Sequence, residues 1–279
     1  MINEFSKTFF LSANEANPER ELAVNILVSN IIETATAHAN SLGIGNPSME
    51  HLGAGWVLSR LTLEMKEYPK INTNYTLTTW IESWNRHFST RDFEIADQSG
   101  KIIGYARSVW MVLNMNTHEN FGLSHLSLPD DAQSSRPCPI SPQQKHVEIL
   151  PMCTPDDKMP AKALRATEEA AFYTFTYSDI DFYRHVNTVR YISLLHNQFT
   201  LEEFDRYQIS RLELSFLHEG NYGVKVAILR HHHANFIGSD QSDDKYSKDI
   251  EGETSFSIIN AETHLPILFS RIVLTERSR

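Results

Sequence analysis

The feature that most restricts what this chain can fold into is an order of elements that it runs through twice. Residues 3–11, with Phe5, Phe9 and Phe10 in weak alternation, are predicted as a strand. A helix is expected over 17–42, with Asn17 at the N-cap and Pro18 at the first helical position. Within it Leu22, Ile26, Leu27, Ile31 and Ala35 recur at three- and four-residue steps, and Gly43 and Gly45 end it. Strands follow at 55–67, 75–84, 88–96 and 102–113, the last two joined by the Gly-containing connector 97–101. The second half repeats the order. A strand is predicted at 167–177 and a helix at 186–207, with Tyr191, Leu194, Leu195 and Phe199 on one side. Strands at 212–218, 223–230, 254–259 and 267–275 complete it, and the polar stretch 238–252 reads as a loop.

Between the halves, residues 116–166 hold seven of the 11 prolines, which cannot donate to a ladder, so this stretch is a connector. The expected organisation is a first unit over 1–118, a Pro-rich connector over 119–165 and a second unit over 166–279. A long helix wrapped by an antiparallel sheet is the hotdog arrangement. The fold class expected is α+β, a tandem (double) hotdog with two long helices, each wrapped by its own antiparallel sheet.

The chain has 279 residues and a formal charge of −10, which argues against general nucleic-acid binding, since that needs a basic footprint. The two cysteines, Cys138 and Cys153, have no metal-ligand spacing and form no disulfide framework. With no signal-peptide build and no apolar run of membrane-spanning length, the expectation is a cytoplasmic protein without a membrane span. His231-His232-His233 reads as a strand end rather than a metal site, because adjacent strand residues face opposite ways. Neither a metal nor a cofactor is expected.

The chemistry is expected between the second-half strand and its helix, in residues 177–187. Asp181, Tyr183 and His185 alternate, so an extended loop would point all three the same way. The helix that follows begins with backbone N–H groups suited to a polarised oxygen. A carboxylate, an imidazole and a helix start are parts for acyl chemistry. The same residues also suit a plain capped helix start with a satisfied histidine.

The chain resembles the acyl-acyl-carrier-protein thioesterases in their bacterial form. The resemblance rests on Gly55-Trp56-Val57-Leu58-Ser59-Arg60-Leu61, Tyr68-Pro69, Thr79-Trp80, Arg91-Asp92-Phe93 and Trp110 in the first half. In the second half it rests on Asp179-Ile180-Asp181, His185-Val186-Asn187 and Tyr191-Ile192. It implies hydrolysis of fatty acyl-carrier-protein thioesters, ending fatty acid synthesis. The carried-over catalytic positions are Asp181, His185 and Glu219, with Tyr183 where the family has Asn and Gly220 where plant members have a Cys once assigned as nucleophile. Asn187 and Val186, at the helix start, are expected to polarise the thioester oxygen. His185 and Glu219 would activate a water, with Asp181 orienting that group or attacking as a carboxylate.

The resemblance further implies an acyl pocket in the first unit, with Trp56, Leu58, Met65, Trp80 and Trp110 as wall candidates. The expected partner is an acidic acyl carrier protein carrying a phosphopantetheine-linked chain. Arg184 and Arg190, with Lys158, Lys162 and Arg165 of the connector, are candidates to meet it. A monomer or a homodimer fits the duplication. The alternatives are a non-catalytic acyl-binding protein of the same fold, for which Tyr183 speaks, and an acyl-CoA thioesterase, which would need a site for the nucleotide end.

Overall fold

The computed structural model describes residues 3–143, 168–233 and 252–277. The chain forms two compact units, Met1–Gln143 and Gln144–Arg279. The first contains β1 (Glu4–Phe10), α1 (Val24–Ser41), α2 (Asn46–His51), β2 (Ala54–Met65), β3 (Asn74–Trp84), β4 (Ser89–Asp97) and β5 (Ile102–Asn114). Its strands are antiparallel in the order β1-β3-β4-β5-β2. The β4–β5 hairpin closes where the Asp97 carboxylate accepts the Ser99 and Lys101 N–H groups at 2.8 and 3.0 Å, with Gly100 at φ 84°.

Helix α1 packs on β1 and β3. It is rich in β-branched residues, which are mediocre helix formers, losing about 0.5 kcal/mol each against alanine. Full burial of Leu27, Val28 and Ile31 outweighs that, at roughly 1.5–3 kcal/mol per side chain. The helix begins at Val24 rather than Asn17. Asn17 caps something tighter: its Oδ1 accepts the Glu21 N–H at 2.8 Å, and Ala16 and Leu22 pair across the turn. The short α2 went unread, although Gly45 at its N-cap and Pro47 in its first turn are start signals. It seats Met49 in a cluster with Ala54, Val112 and Leu123.

Residues 119–143 of the expected connector lie within the first unit, with Leu123, Ala132 and Ile140 buried. Gln133 pairs with Ile81 of β3, and the Trp80 indole donates to the Arg136 carbonyl at 2.8 Å. Residues 144–165, which include Lys158, Lys162, Arg165 and Cys153, lie outside the described residues. So does all of the expected loop but its last residue, Gly252.

The second unit contains β6 (Glu168–Thr174), α3 (Thr188–His196), α4 (Leu201–Arg206), β7 (Tyr207–Phe216), β8 (Lys225–His233), β9 (Glu253–Asn260) and β10 (Pro266–Glu276). Its antiparallel order is β6-β8-β9-β10-β7. First, third, fourth, fifth, second: the order of the first unit recurs. The expected single helix over 186–207 is two helices instead. Thr200 and Glu203 form a reciprocal capping box that restarts the chain as α4. Strand β7 then starts at Tyr207, earlier than expected, because the Arg277 guanidinium takes the Phe204 and Tyr207 carbonyls at 2.7 and 3.0 Å and closes the helix end. The backbone of His231-His232-His233 ends β8; the side chains of these three lie outside the described residues.

Candidate active site

The loop between β6 and α3 is a closed turn, not the extended segment expected from alternation. Ile180 pairs with Val186, and the Asp181 N–H donates to the His185 carbonyl at 2.8 Å. Arg184 takes the left-handed conformation, φ 68°, that lets the chain turn back. The Asp181 Oδ1 accepts the N–H groups of Tyr183 at 2.9 Å and His185 at 3.2 Å, so the side chain clamps the turn from inside. His185 is then pinned to the segment after β7 by pairing with Asn221, while Val186 donates to the Gly220 carbonyl at 2.9 Å. These bonds bring the His185 Nε2 to 3.2 Å from the Glu219 Oε2. Both side chains are part-exposed, as a water-activating pair must be.

Below this turn lies a brace. Asp179 is buried, and its carboxylate accepts from Thr176 N at 2.7 Å, Tyr173 Oη at 3.0 Å and Arg190 Nε at 2.7 Å. Burial acts to raise its carboxyl pKa, but the hydrogen bonds from Thr176, Arg190 and Tyr173 outweigh it and hold the carboxyl below its ordinary range. Arg190, expected to meet a carrier protein, is therefore committed to Asp179. Arg184, at the tip of the turn, is exposed, and the Arg190 side chain stays part-exposed beside its carboxylate.

The helix-start role also needs correction. The Val186 and Asn187 N–H groups donate to Gly220 and Asp179 carbonyls, at 2.9 and 2.8 Å, and are not open to a substrate oxygen. The Asn187 side chain is the N-cap of α3, accepting from Val189 N at 3.1 Å. Tyr183 packs its ring on Phe182, centroids 4.0 Å apart. Gly220 has no room for the cysteine of plant members: a Cβ there would lie 2.3 Å from the Tyr191 Oη and 3.0 Å from Val186. Burial raises the Tyr191 phenol above its ordinary range, with a Gly220 backbone hydrogen bond acting the other way.

The same turn is built a second time, in the first unit. There Ser12 and Glu15 form the capping box that Thr176 and Asp179 form here. Asn17 Oδ1 accepts Glu21 N at 2.8 Å, Arg20 sits at φ 63°, and Leu22 donates to the Pro69 carbonyl at 2.9 Å. Glu21 pairs with Lys70, as His185 pairs with Asn221. Position by position, Asn17 answers to Asp181, Glu21 to His185, Tyr68 to Glu219 and Pro69 to Gly220. The scaffold is common to both units, and only the second carries an imidazole with a carboxylate. The first carries a Glu21–Lys70 ion pair on a buried Glu21.

The first unit holds a cleft of about 420 Å³, counting the space open at its mouth. It is lined by apolar Ala35, Ala39, Ile44, Trp56, Trp84 and Trp110, by polar Thr36, Asn46 and Ser89, and by Arg91. Trp56 and Trp110, two of the expected wall candidates, line this cleft. Leu58, Met65 and Trp80 do not line this cleft. Leu58 and Met65 are buried in the core, with the Met65 Sδ over Gly104, and Trp80 faces Arg136, whose guanidinium lies 4.3 Å from its ring centre. Trp84 and Arg91 were missed as lining. Arg91 was legible, because it alternates with Phe93 and Ile95 on β4 and so belongs to the apolar face.

Residues 3–122 match the family model described as acyl-ACP thioesterase N-terminal domain, and residues 162–264 match the acyl-ACP thioesterase C-terminal domain. A chloroplastic acyl-[acyl-carrier-protein] hydrolase of Cuphea viscosissima is 27% identical over 223 residues, covering 77% of this chain and 52% of that protein. An oleoyl-acyl carrier protein thioesterase of Arabidopsis thaliana is 24% identical, covering 77% and 60%. The chain spans about half the length of the first of these curated relatives, at 52%. A crystal structure of an acyl-ACP thioesterase from Bacteroides thetaiotaomicron superposes with a TM-score of 0.77 at 26% identity, covering 98% of each chain. A 12:0-ACP thioesterase from Umbellularia californica shares the fold, with a TM-score of 0.74 at 18% identity over 98% of this chain and 94% of its own.

Proposed function

The chain belongs to the acyl-ACP thioesterase family and has its double-hotdog fold, and from that premise we propose that it hydrolyses fatty acyl-carrier-protein thioesters to the free acid and the carrier thiol. The observation that carries the reading is the His185–Glu219 pair, 3.2 Å apart on a turn whose copy in the first unit lacks both residues. A fold needs the turn; it does not need an imidazole facing a carboxylate there.

In the proposed reaction His185, held against Glu219, takes a proton from a water that attacks the thioester carbonyl. The C–S bond breaks and the thiolate leaves with a proton returned from the same pair. Asp181 acts as a positioning residue. Its Oδ1 holds the backbone of His185, and its charge favours the imidazolium formed during attack. The acyl chain would occupy the cleft lined by Trp56, Trp84 and Trp110. The carrier protein, with exposed Arg184 among its contacts, and a cytosolic setting belong to the same proposal. No helix among the described residues is long and apolar enough to cross a membrane.

The test is release of free thiol from acyl-carrier protein and from acyl-CoA over a series of chain lengths, with His185→Ala as control. Turnover on the carrier substrate that falls in the variant supports the reading. Acyl binding with no turnover in either protein would favour an acyl-binding protein instead.

A further inference from the structure

Around the turn that carries His185, three aromatic side chains stand out in solvent. Tyr177 is 89% exposed, Phe182 74% and Tyr222 70%. The segments that carry them are hydrogen-bonded neighbours. His185 pairs with Asn221, the Gly223 N–H donates to the Phe175 carbonyl at 2.9 Å, and the Phe175 N–H donates to the Val224 carbonyl at 3.1 Å. The first unit supplies the comparison. There the Asn72 N–H donates to the Leu11 carbonyl and the Leu11 N–H to the Thr73 carbonyl, each at 2.9 Å, and Asn72 takes the left-handed conformation as Gly223 does. Ala13 therefore answers to Tyr177, Pro18 to Phe182 and part-buried Ile71 to Tyr222. The scaffold closes there without an aromatic at any of the three positions, so the turn itself does not call for the rings.

Aromatic rings exposed together mark an interaction surface, because they bury much area at low entropic cost once a partner covers them. Exposed Ser178 and Asn221 lie among them as polar contacts. Arg184, on the same turn as Phe182, is exposed. The carboxylates of the turn are engaged inside the protein: Asp179 with Arg190, Asp181 with the turn N–H groups and Glu219 with His185. Beyond Tyr222, exposed Lys225 and Glu262 offset each other, where the Ala261 N–H meets the Lys225 carbonyl. The charge left facing outward on the turn is that of Arg184, on a chain of net charge −10. Rings with an outward cation suit a partner that is acidic and partly apolar.

We propose that Tyr177, Phe182 and Tyr222 form the docking surface for the protein body of the acyl carrier, with Arg184 as its charged contact. The inference rests on the proposed acyl-thioester reading. It adds the surface by which a chain borne on the carrier is told from the same chain on a small thiol. A body that delivers a thioester to His185 and Glu219 must cover the ground beside them, and a small thiol has no body to cover rings on three segments. The rings act in association and leave the turnover chemistry at His185 and Glu219.

The experiment uses the full chain. It measures binding of labelled holo carrier protein without an acyl group, and thiol release from one acyl chain carried on the carrier, on free pantetheine or on CoA. The double variant Tyr177→Ser/Tyr222→Ser changes two exposed side chains and keeps Phe182, which packs on Tyr183. It is expected to weaken carrier binding and to raise KM for the carrier thioester about tenfold or more, with kcat and use of the pantetheine thioester unchanged. Adding Phe182→Ser should weaken carrier binding further. Carrier binding and KM that stay at the wild-type values in the double variant would overturn the proposal. An equal loss on the pantetheine thioester would overturn it too, by giving the rings to the thiol arm or the chemistry. A loss confined to the CoA thioester would give them to the nucleotide end instead. Binding of phosphatidylglycerol vesicles that the double variant loses, with carrier binding intact, would assign the patch to a membrane surface and overturn the proposal. A wild-type protein that neither binds the carrier nor prefers its thioester to that of pantetheine would do the same. Carrier binding that weakens in the variant, with no thiol released from any thioester, would sink the hydrolase reading and leave the docking surface standing.

Discussion

At the scale of single residues, the duplicated turn separates what the backbone requires from what chemistry requires. Asn17 shows that an amide oxygen is enough to clamp this turn. Asp181→Asn should therefore leave the melting temperature within a degree or two, while turnover falls about ten- to a thousandfold from loss of the charge beside His185. Unchanged turnover would remove Asp181 from the mechanism. Gly220 is the opposite case, a position decided by space. Gly220→Ala places a Cβ against the Tyr191 hydroxyl and Val186, and should lower stability by about 1–3 kcal/mol in denaturant unfolding. Asp181 and His185 were legible from spacing and resemblance. The commitment of Arg190 to Asp179 was not, because a surface-looking arginine and a buried carboxylate eleven positions apart meet only when the turn closes.

At the scale of elements, the capping residues decide where helices begin. Asn187, taken from sequence as a substrate group, is the N-cap of α3. Asn187→Ala should lower stability by about 1 kcal/mol, with KM unchanged once the folded fraction is allowed for. A raised KM at equal stability would restore the binding role. Helix α1 was predicted too long at its start, and the second-unit helix was predicted as one piece. Both errors share a cause: a 3.6-residue apolar pattern continues through a turn or a restart that keeps the same face inward. Only the hydrogen bonds of Asn17, Thr200 and Arg277 tell where the backbone leaves the helix.

At the scale of the whole molecule, stability against pH should carry the mark of Asp92. It is fully buried, and burial pushes its carboxyl up to about 6 despite the opposing hydrogen bond from Arg107. A folded-state pKa above the ordinary carboxylate value means that the folded protein holds the proton more tightly. The contribution is fully present below about pH 4 and is lost as pH rises through about 6, a span of about 2–3 kcal/mol at most. Asp92→Asn keeps an acceptor for Arg107 and removes the titration. Between pH 4 and 8 the wild-type melting temperature should fall relative to this variant, and parallel curves would contradict the assignment. The carrier contact belongs to this scale too. If Arg184 helps meet an acidic partner, association should weaken with added salt, and Arg184→Ala should reduce that dependence.

From the sequence alone came the two-fold order of elements, the antiparallel class, the long first helix and a candidate site before the second-unit helix. These depend on local periodicity and on punctuation by Gly, Pro and cap residues, which act over a few residues and are written in the chain. The tertiary structure decided the rest. It closed the turn so that Asp181 faces inward, brought Glu219 to His185 from beyond β7, engaged the N–H groups at the helix start, and buried Arg91 in the cleft wall. All but the first of these rest on contacts between segments distant in sequence, set by which backbone donors remain unpaired and how much space neighbouring side chains leave, and neither quantity exists until the sheets have formed.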